Sequence, residues 1–414
     1  MCQQSLCNDN AIIKNSEIHD PLHNDRNPVC QRCILKFAEN WLIGIASSIV
    51  FAMLDLLDFI LCLVYGWADY LLEKEWTPCY CCFNGLKSKR DLSETLYSRK
   101  NFVRNLITGA VCWMKKFRKN GADSVTETSN RKFKHVGGRW SDCACHKCLS
   151  PDTHKLYVAQ GSHSCASSSD VIFIHGFLSS SSFWTETIYP KFSEAAKSNY
   201  RFFAVDLLGF GKSPKPLNCL YTVKEHVDMI EQSVIHPYHV KSFHLVAHSM
   251  GCIIALALAS KYPNALKSIT LLSPPYYPAP SGEQANHFVM KRCAPKTIWP
   301  LLAFGSSVMS WYEHVGRTVC LVVCKNHRFW EWILKKSVWK RVPNYQIEDF
   351  TRHTHFSAWH SFHNVICGAA QEMDKYLEIV SETDCKVMIL HGREDKVVPL
   401  ECSLAIQLRV GKSE

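Results

Sequence analysis

The pentapeptide Ala247-His248-Ser249-Met250-Gly251 stands between an apolar run, Phe243–Ala247, and an apolar helical stretch from Cys252 to about Lys261. A serine on such a strand-to-helix turn is held out above the sheet, and its flanking positions must be small because the backbone is crowded there. Gly251 meets that demand, and Ala247 departs from the usual glycine but stays small. The chemistry this spacing serves is acyl transfer, with Ser249 as the nucleophile that forms an acyl-enzyme. Upstream, Val171–Ile174 runs into His175-Gly176-Phe177. The backbone N–H groups of Phe177 and Met250 then form the oxyanion hole, where one donor is worth about 2.7–4 kcal/mol in the transition state. His175 and His248 read as structural, His175 orienting the loop and His248 packing the elbow. Asp395 follows the apolar run Val387–Leu390 and is the acid that orients a catalytic imidazole, with Glu394 as the lower-ranked alternative.

The imidazole itself is the missing part. The order for this arrangement is serine, acid, histidine. Nineteen residues follow Asp395, and none is histidine. The reading is of a hydrolase module that lacks its last strand, histidine loop and closing helix. Without a base the serine keeps its proton and is a poor nucleophile, so low activity is expected of these 414 residues. His353, His355, His360 and His363 precede the acid; as a surrogate base or a zinc site they rank below ordinary packing.

Short β-branched runs alternating with helical stretches must position these groups. Strands are expected at Lys155–Gly161, Val171–Ile174, Phe202–Val205, Phe243–Ala247, Ser268–Leu272 and Val387–Leu390. Helices fall from about Phe183, over Val223–Ile235 and over Cys252–Lys261. That is the α/β class, a mostly parallel sheet with crossover helices on both faces, spanning 155–414. Between about 276 and 374 a helical lid interrupts the sheet. It holds six of the twelve tryptophans (Trp299, Trp311, Trp330, Trp332, Trp339, Trp359). That suits an acyl-chain pocket, and Lys335, Lys336, Lys340 and Arg341 suit an acidic headgroup.

Residues 1–40 are polar, with no cleavable signal pattern. Residues 41–72 are strongly apolar and long enough to span a bilayer, which takes roughly 20 residues. Asp55, Asp58 and Asp69 form one stripe at helical spacing. An acid in mid-bilayer costs about 2.5–3.5 kcal/mol, so the helix is expected to pack this stripe on protein or to lie at the interface. Residues 73–154 form a cysteine-containing basic linker. Residues 84–134 hold thirteen Lys/Arg against four acids, which is nine of the ten net positive charges of the chain. No basic, aromatic-interleaved face extends beyond them, so nucleic-acid binding is not expected. Contact with an anionic membrane surface is.

Cys79, Cys81 and Cys82 beside this segment are candidates for S-acylation. Cys143, Cys145 and Cys148, with His146 between them, offer soft ligands, and Cys30 and Cys33 would complete a set. The spacing matches no standard finger, so disulfides or structural thiols are favoured and neither metal nor cofactor is expected. With 21 cysteines and 47% hydrophobic residues, the chain is no disordered, collagen-like or short disulfide-stapled protein.

Together these residues resemble the α/β-hydrolase superfamily over 155–414. A closer resemblance covers residues 34–414. The apolar helix with Asp55-Leu56-Leu57-Asp58, the following PCYCC, and WSDCACHKC are similar to the plant BODYGUARD family. So are Trp311-Tyr312-Glu313-His314, Cys324-Lys325-Asn326-His327-Arg328 and the run from His353 to Gly368. The resemblance implies lysophospholipase-type or polyester chemistry on lipid acyl esters, in cuticle formation at the cell surface or wall. It names no protein partner, and hydrolase and acyltransferase outcomes both remain open. An inactive ligand-binding relative and a zinc-binding interaction protein are the competing readings.

Overall fold

Residues of β2 (Ser169–Ile174) and β3 (Tyr200–Val205) alternate between two cores, as the period of two in a strand requires. Ile172, Ile174, Phe203 and Val205 enter the larger one, while Val171, Phe173, Phe202 and Ala204 enter the smaller one around Trp184. A sheet buried on both faces needs helices on both. The computed structural model describes residues 28–73, 93, 103, 139–145, 148, 154–161, 169–277, 305, 308–337, 342–395 and 397–411. The expectations for residues 1–27, Cys79, Cys81, Cys82, His146, Trp299, Trp339, Lys340 and Arg341 lie outside them, as do most of those for the basic linker.

The chain divides into two units, Met1–Met53 and Leu54–Glu414. In the first, residues 28–53 are helical and form the start of α1 (Pro28–Glu73). The second holds a six-stranded sheet. After α1 come β1 (Val158–Gly161), β2, α2 (Ser182–Thr187), α3 (Glu194–Asn199), β3, α4 (Val223–Ile230), β4 (Phe243–His248), α5 (Met250–Lys261) and β5 (Leu266–Leu272). The lid region contributes α6 (Glu313–Val323), α7 (His327–Ser337), α8 (Asn344–Thr351) and α9 (His355–Ser361). Then come α10 (Met373–Ser381), β6 (Lys386–Leu390) and α11 (Leu400–Val410). The strand order is β1-β3-β2-β4-β5-β6, with β1 antiparallel to β3 and every other neighbour parallel.

Strand ends differ from expectation for identifiable reasons. β2 and β3 start two residues early because Asp170 accepts Arg201 Nε and Nη2 across the parallel pair, at 2.6 and 2.8 Å. Polar residues there conceal a strand from a hydrophobic pattern. β1 starts three residues late because the Leu156 and Tyr157 N–H groups donate to Ser233 Oγ (2.8 Å) and Ser213 Oγ (2.9 Å). Side chains have replaced the ladder. α4 opens on a capping box, Thr222 with Glu225. α5 is buried from Met250 to Ala259, the core helix on which α4 and α10 pack.

The aspartate stripe is accounted for by packing inside the second unit. Asp55, Asp58, Cys62, Tyr65 and Asp69 are buried, one row at three- and four-residue steps. Asp58 Oδ1 accepts the His314 N–H at 3.1 Å, and Tyr65 bonds Thr318 Oγ1 at 3.0 Å. Asp69 receives Arg317 through Nη1 at 2.8 Å and Nη2 at 2.6 Å, Arg139 at 2.9 Å and Trp140 Nε1 at 2.7 Å. The opposite face exposes Leu56, Leu57, Ile60, Leu63, Val64, Trp67 and Leu71. Among the described residues one helix, Ser48–Glu73, is long and apolar enough to cross a membrane.

Candidate active site

Four parallel strands end at one edge of the sheet, and the candidate groups follow their last residues. Ile174 of β2 pairs with Ala247 of β4, and His248 pairs with Leu272 of β5, whose partner on β6 is Leu390. His175, Ser249, Ser273 and His391 therefore begin neighbouring loops at the carboxyl ends, where ligands of open α/β sheets bind. Two backbone bonds fix the edge: Ser249 N–H to Leu272 O at 2.9 Å and Ser273 N–H to Leu390 O at 2.8 Å.

Ser249 sits at φ 50°, ψ −124°, a left-handed conformation that a non-glycine residue holds only where its surroundings impose it. The turn brings the chain directly into α5, whose first N–H groups, Met250 included, have no partner inside the helix. Gly251 lies against β2. A Cβ there would stand 2.5 Å from His175 O and 2.6 Å from Ile174 O. Both are backbone atoms, so Gly251→Ala should cost about 3 kcal/mol or more and shift the denaturant midpoint accordingly. An unchanged midpoint would contradict this packing. Gly176 meets the nucleophile turn from the other side: a Cβ there would stand 3.1 Å from Ser249 Cβ. The loop carrying the Phe177 N–H is thereby set against Ser249.

The flanking histidines are committed elsewhere. His175 Nε2 accepts the Leu207 N–H at 2.9 Å, so its Nδ1 carries the proton and donates to Gly176 O at 2.7 Å. Burial pushes that imidazole below its ordinary range and keeps it neutral. His248 stacks on Phe183 at 4.9 Å, and burial drives it down to about 4 against a smaller upward pull from Asp395. His391 donates from Nε2 to Val398 O at 2.8 Å and accepts Ser403 Oγ at Nδ1, 2.5 Å away. His175 and His391 thus spend both ring nitrogens on the scaffold, whereas His248 is held by stacking and its buried Nδ1 has no hydrogen-bond partner.

Asp395 Oδ1 accepts the Val397 and Val398 N–H groups at 2.9 and 3.0 Å. Burial opposes its charge, but these two donors and Ser273 hold the carboxyl below the ordinary range, so it is a carboxylate at neutral pH. Oδ2 lies 3.7 Å from His391 Nε2. Glu394 is exposed on the same loop. The structure thus brings His175, Gly176, Ser249, Met250 and Gly251 into one contact set, with Asp395 two strands away along the same edge.

Residues that sequence reasoning missed hold the loops together. Asp206 Oδ1 accepts the Ser181 N–H at 2.6 Å and Oδ2 that of Lys212 at 2.7 Å. From the lid, Phe362 packs on Phe177, Ser357 Oγ donates to Gly209 O at 2.9 Å, and Asp349 accepts Ser180 Oγ at 2.7 Å. Burial above all, with Asp206 nearby, raises the Asp349 carboxyl to about 7 from an ordinary 3.8, although the Ser180 bond acts the other way. A raised carboxyl favours the fold fully below the unfolded pKa, and that contribution is lost as pH climbs through the folded one. The melting temperature should therefore fall between about pH 4 and pH 7, and Asp349→Asn should flatten that slope. An identical slope in the variant would sink the assignment.

The lid histidines separate into two pairs. His360 and His363 are buried among aromatics, His360 on Phe356 at 4.2 Å and His363 on Trp359 at 4.5 Å. Burial drives both pKa values down, His363 to about 3. His353 instead faces cysteines. Of the lid tryptophans, Trp359 is buried and Trp332 exposed. A cavity of about 620 Å³ lies along β6 and α11, lined by Val387, Ile389, His391, Leu400 and Leu404, away from these tryptophans.

A parallel sheet with a strained serine between strand and helix, a loop of the His-Gly type beside it and an acid after a later strand defines a class. The family described as "alpha/beta hydrolase fold" matches residues 171–407, more than half of the chain, and the chain belongs to it. Within that class the chain is a member of the BODYGUARD family. It is 44% identical to "Probable lysophospholipase BODYGUARD 1" of Arabidopsis thaliana over 415 residues, 88% of each chain. BODYGUARD 4 of the same plant is 46% identical over 373 residues, 86% of each chain, and BODYGUARD 3 is 41% identical over 455 residues, 91% of each.

Proposed function

We propose that the protein is a serine hydrolase or acyltransferase of lipid acyl esters, of the lysophospholipase type named for its BODYGUARD relatives. One observation carries the reading: Ser249 at φ 50°, ψ −124°, opening a buried helix with Gly176 and Gly251 against it. In this mechanism Ser249 Oγ attacks the ester carbonyl and the Phe177 and Met250 N–H groups receive the oxyanion. The alcohol leaves, and water or a second alcohol resolves the acyl-enzyme. Asp395 orients the imidazole that takes the serine proton. No residue is named as that base: His175 and His391 have both ring nitrogens engaged, and His248 packs on Phe183.

The apolar face of α1 from Leu56 to Leu71 suits contact with lipid, while the aspartate face is held by protein. Membrane association would bring the site to lipid substrates, and cuticle formation at the cell surface is the role the family resemblance adds. The test is release of fatty acid from a lysophospholipid in mixed micelles by the purified protein. Release that Ser249→Ala abolishes supports the reading. The second reading is a binding protein without catalysis, in which the loop histidines His175 and His391 serve only the scaffold. It predicts lipid binding without release.

A further inference from the structure

Two groups of cysteine and histidine side chains outside the hydrolase site converge from distant parts of the chain. Cys143, Cys145 and Cys148 precede β1, and His327 opens α7, 179 residues after Cys148. Their four donor atoms lie within 4.8 Å of one another. His327 Nε2 is 3.3 Å from Cys145 Sγ and 3.5 Å from Cys148 Sγ. With zinc–sulfur bonds near 2.3 Å and zinc–nitrogen bonds near 2.0–2.1 Å, a tetrahedral ion holds sulfur and nitrogen about 3.6 Å apart. The thiols are free, and Cys148 and His327 are buried.

The surroundings complete the arrangement. Glu331 Oε1 lies 2.8 Å from His327 Nδ1 and accepts Arg352 Nε at 3.0 Å. A carboxylate on the far nitrogen fixes the tautomer and turns the Nε2 lone pair toward the sulfurs, the partner that metal-bound histidines ordinarily have. Lys215 Nζ donates to Cys148 O at 3.2 Å, placing a positive charge beside a set of thiolates. A hydrogen-bonded histidine in a thiol pocket needs none of this; a zinc ligand does.

The second group stands on its own geometry. Cys320 and Cys324 lie one turn apart, and His353 Nε2 is 3.7 Å from Cys320 Sγ and 3.5 Å from Cys324 Sγ. These spacings again match a shared ion. The three donor atoms lie within 4.8 Å of one another, and both cysteines are buried.

We propose that the protein holds two zinc ions, one on Cys143, Cys145, Cys148 and His327, the other on Cys320, Cys324 and His353. The first is a closed site with four protein ligands, which makes its role structural, and the second offers three. They join the segment before β1 to α6, α7 and the loop before α9, and so fasten the lid helices to the module that carries Ser249. In the sequence, Cys30, Cys33 and His146 were the donors in view beside these cysteines, and the histidine of the first proposed set stands on another element.

The test is elemental analysis of the full chain purified in detergent without chelator. Two equivalents of zinc are expected, falling to one in Cys145→Ser/Cys148→Ser and to one in Cys320→Ser/Cys324→Ser. Should either pair fail to fold, Glu331→Gln keeps all four ligands of the first site. It should lower zinc affinity there 10–100-fold in a chelator competition and leave the second site unchanged. Cobalt loaded in place of zinc should give the intense visible absorption of a tetrahedral thiolate site. Folded protein without zinc, zinc that the cysteine variants retain in full, or cysteines found as disulfides by mass spectrometry would overturn the proposal.

Discussion

Replacing Ser249 by alanine should lower acyl-ester turnover by roughly 10⁴-fold or more. The expected size follows from how the parts act together. Removing the nucleophile leaves the oxyanion donors and the pocket, which in triad enzymes retain about 10³–10⁴-fold over water. Asp395→Asn should approach the same loss through the wrong imidazole tautomer, about 10⁴-fold in kcat. Because members of a triad act as a unit, the double variant should be scarcely worse than Ser249→Ala alone. Substrate binding should change little in all three, since Ser249 and Asp395 act on the reacting bond. Kinetics with a short-chain chromogenic ester measure both quantities. A Ser249→Ala protein with more than a tenth of the parent kcat would remove the serine from the mechanism.

The second large effect is on stability and lies at the aspartate stripe. Arg317→Met leaves the buried Asp69 carboxylate without its bidentate partner, and breaking such a pair typically costs about 3–5 kcal/mol. Arg139 and Trp140 still bond Asp69, which favours the lower end of that range. The substitution also removes the guanidinium stacked on Tyr65, 4.4 Å from the ring centroid. At 2–4 °C per kcal/mol for a domain of this size, the melting temperature should fall by about 6–20 °C. Asp69→Leu added to Arg317→Met should recover part of the loss, because two apolar groups strand no charge. A melting temperature unchanged in Arg317→Met would mean that the stripe is not held as described.

Those two sites mark how far a sequence can be read. The elbow was legible because its causes are local: Ser249, Met250 and Gly251 carry the turn, the helix start and the close approach within three residues. The parallel sheet was legible for the same reason, each strand being a short apolar run before a helix. The aspartate stripe announced itself by helical period, but its partner did not, since Arg317 is 248 residues from Asp69. The loop supports Asp206, Ser273 and Asp349 are single polar residues whose significance lies wholly in what the fold sets beside them. Strand ends were misread where polar groups join the ladder, at Asp170 and Arg201, or replace it, at Ser213 and Ser233. The cysteines were visible, but the fourth ligand of their proposed site was not, for the same long-range reason as Arg317.

Mass mapping of a fluorophosphonate adduct tests the central claim most directly. The probe phosphonylates only a serine activated by a base and an oxyanion hole, so its site reports the assembled machinery. One adduct is predicted, on the peptide that contains Ser249, and Ser249→Ala should leave the protein unlabelled. An adduct on another residue, or labelling that Ser249→Ala leaves unchanged, would contradict the account.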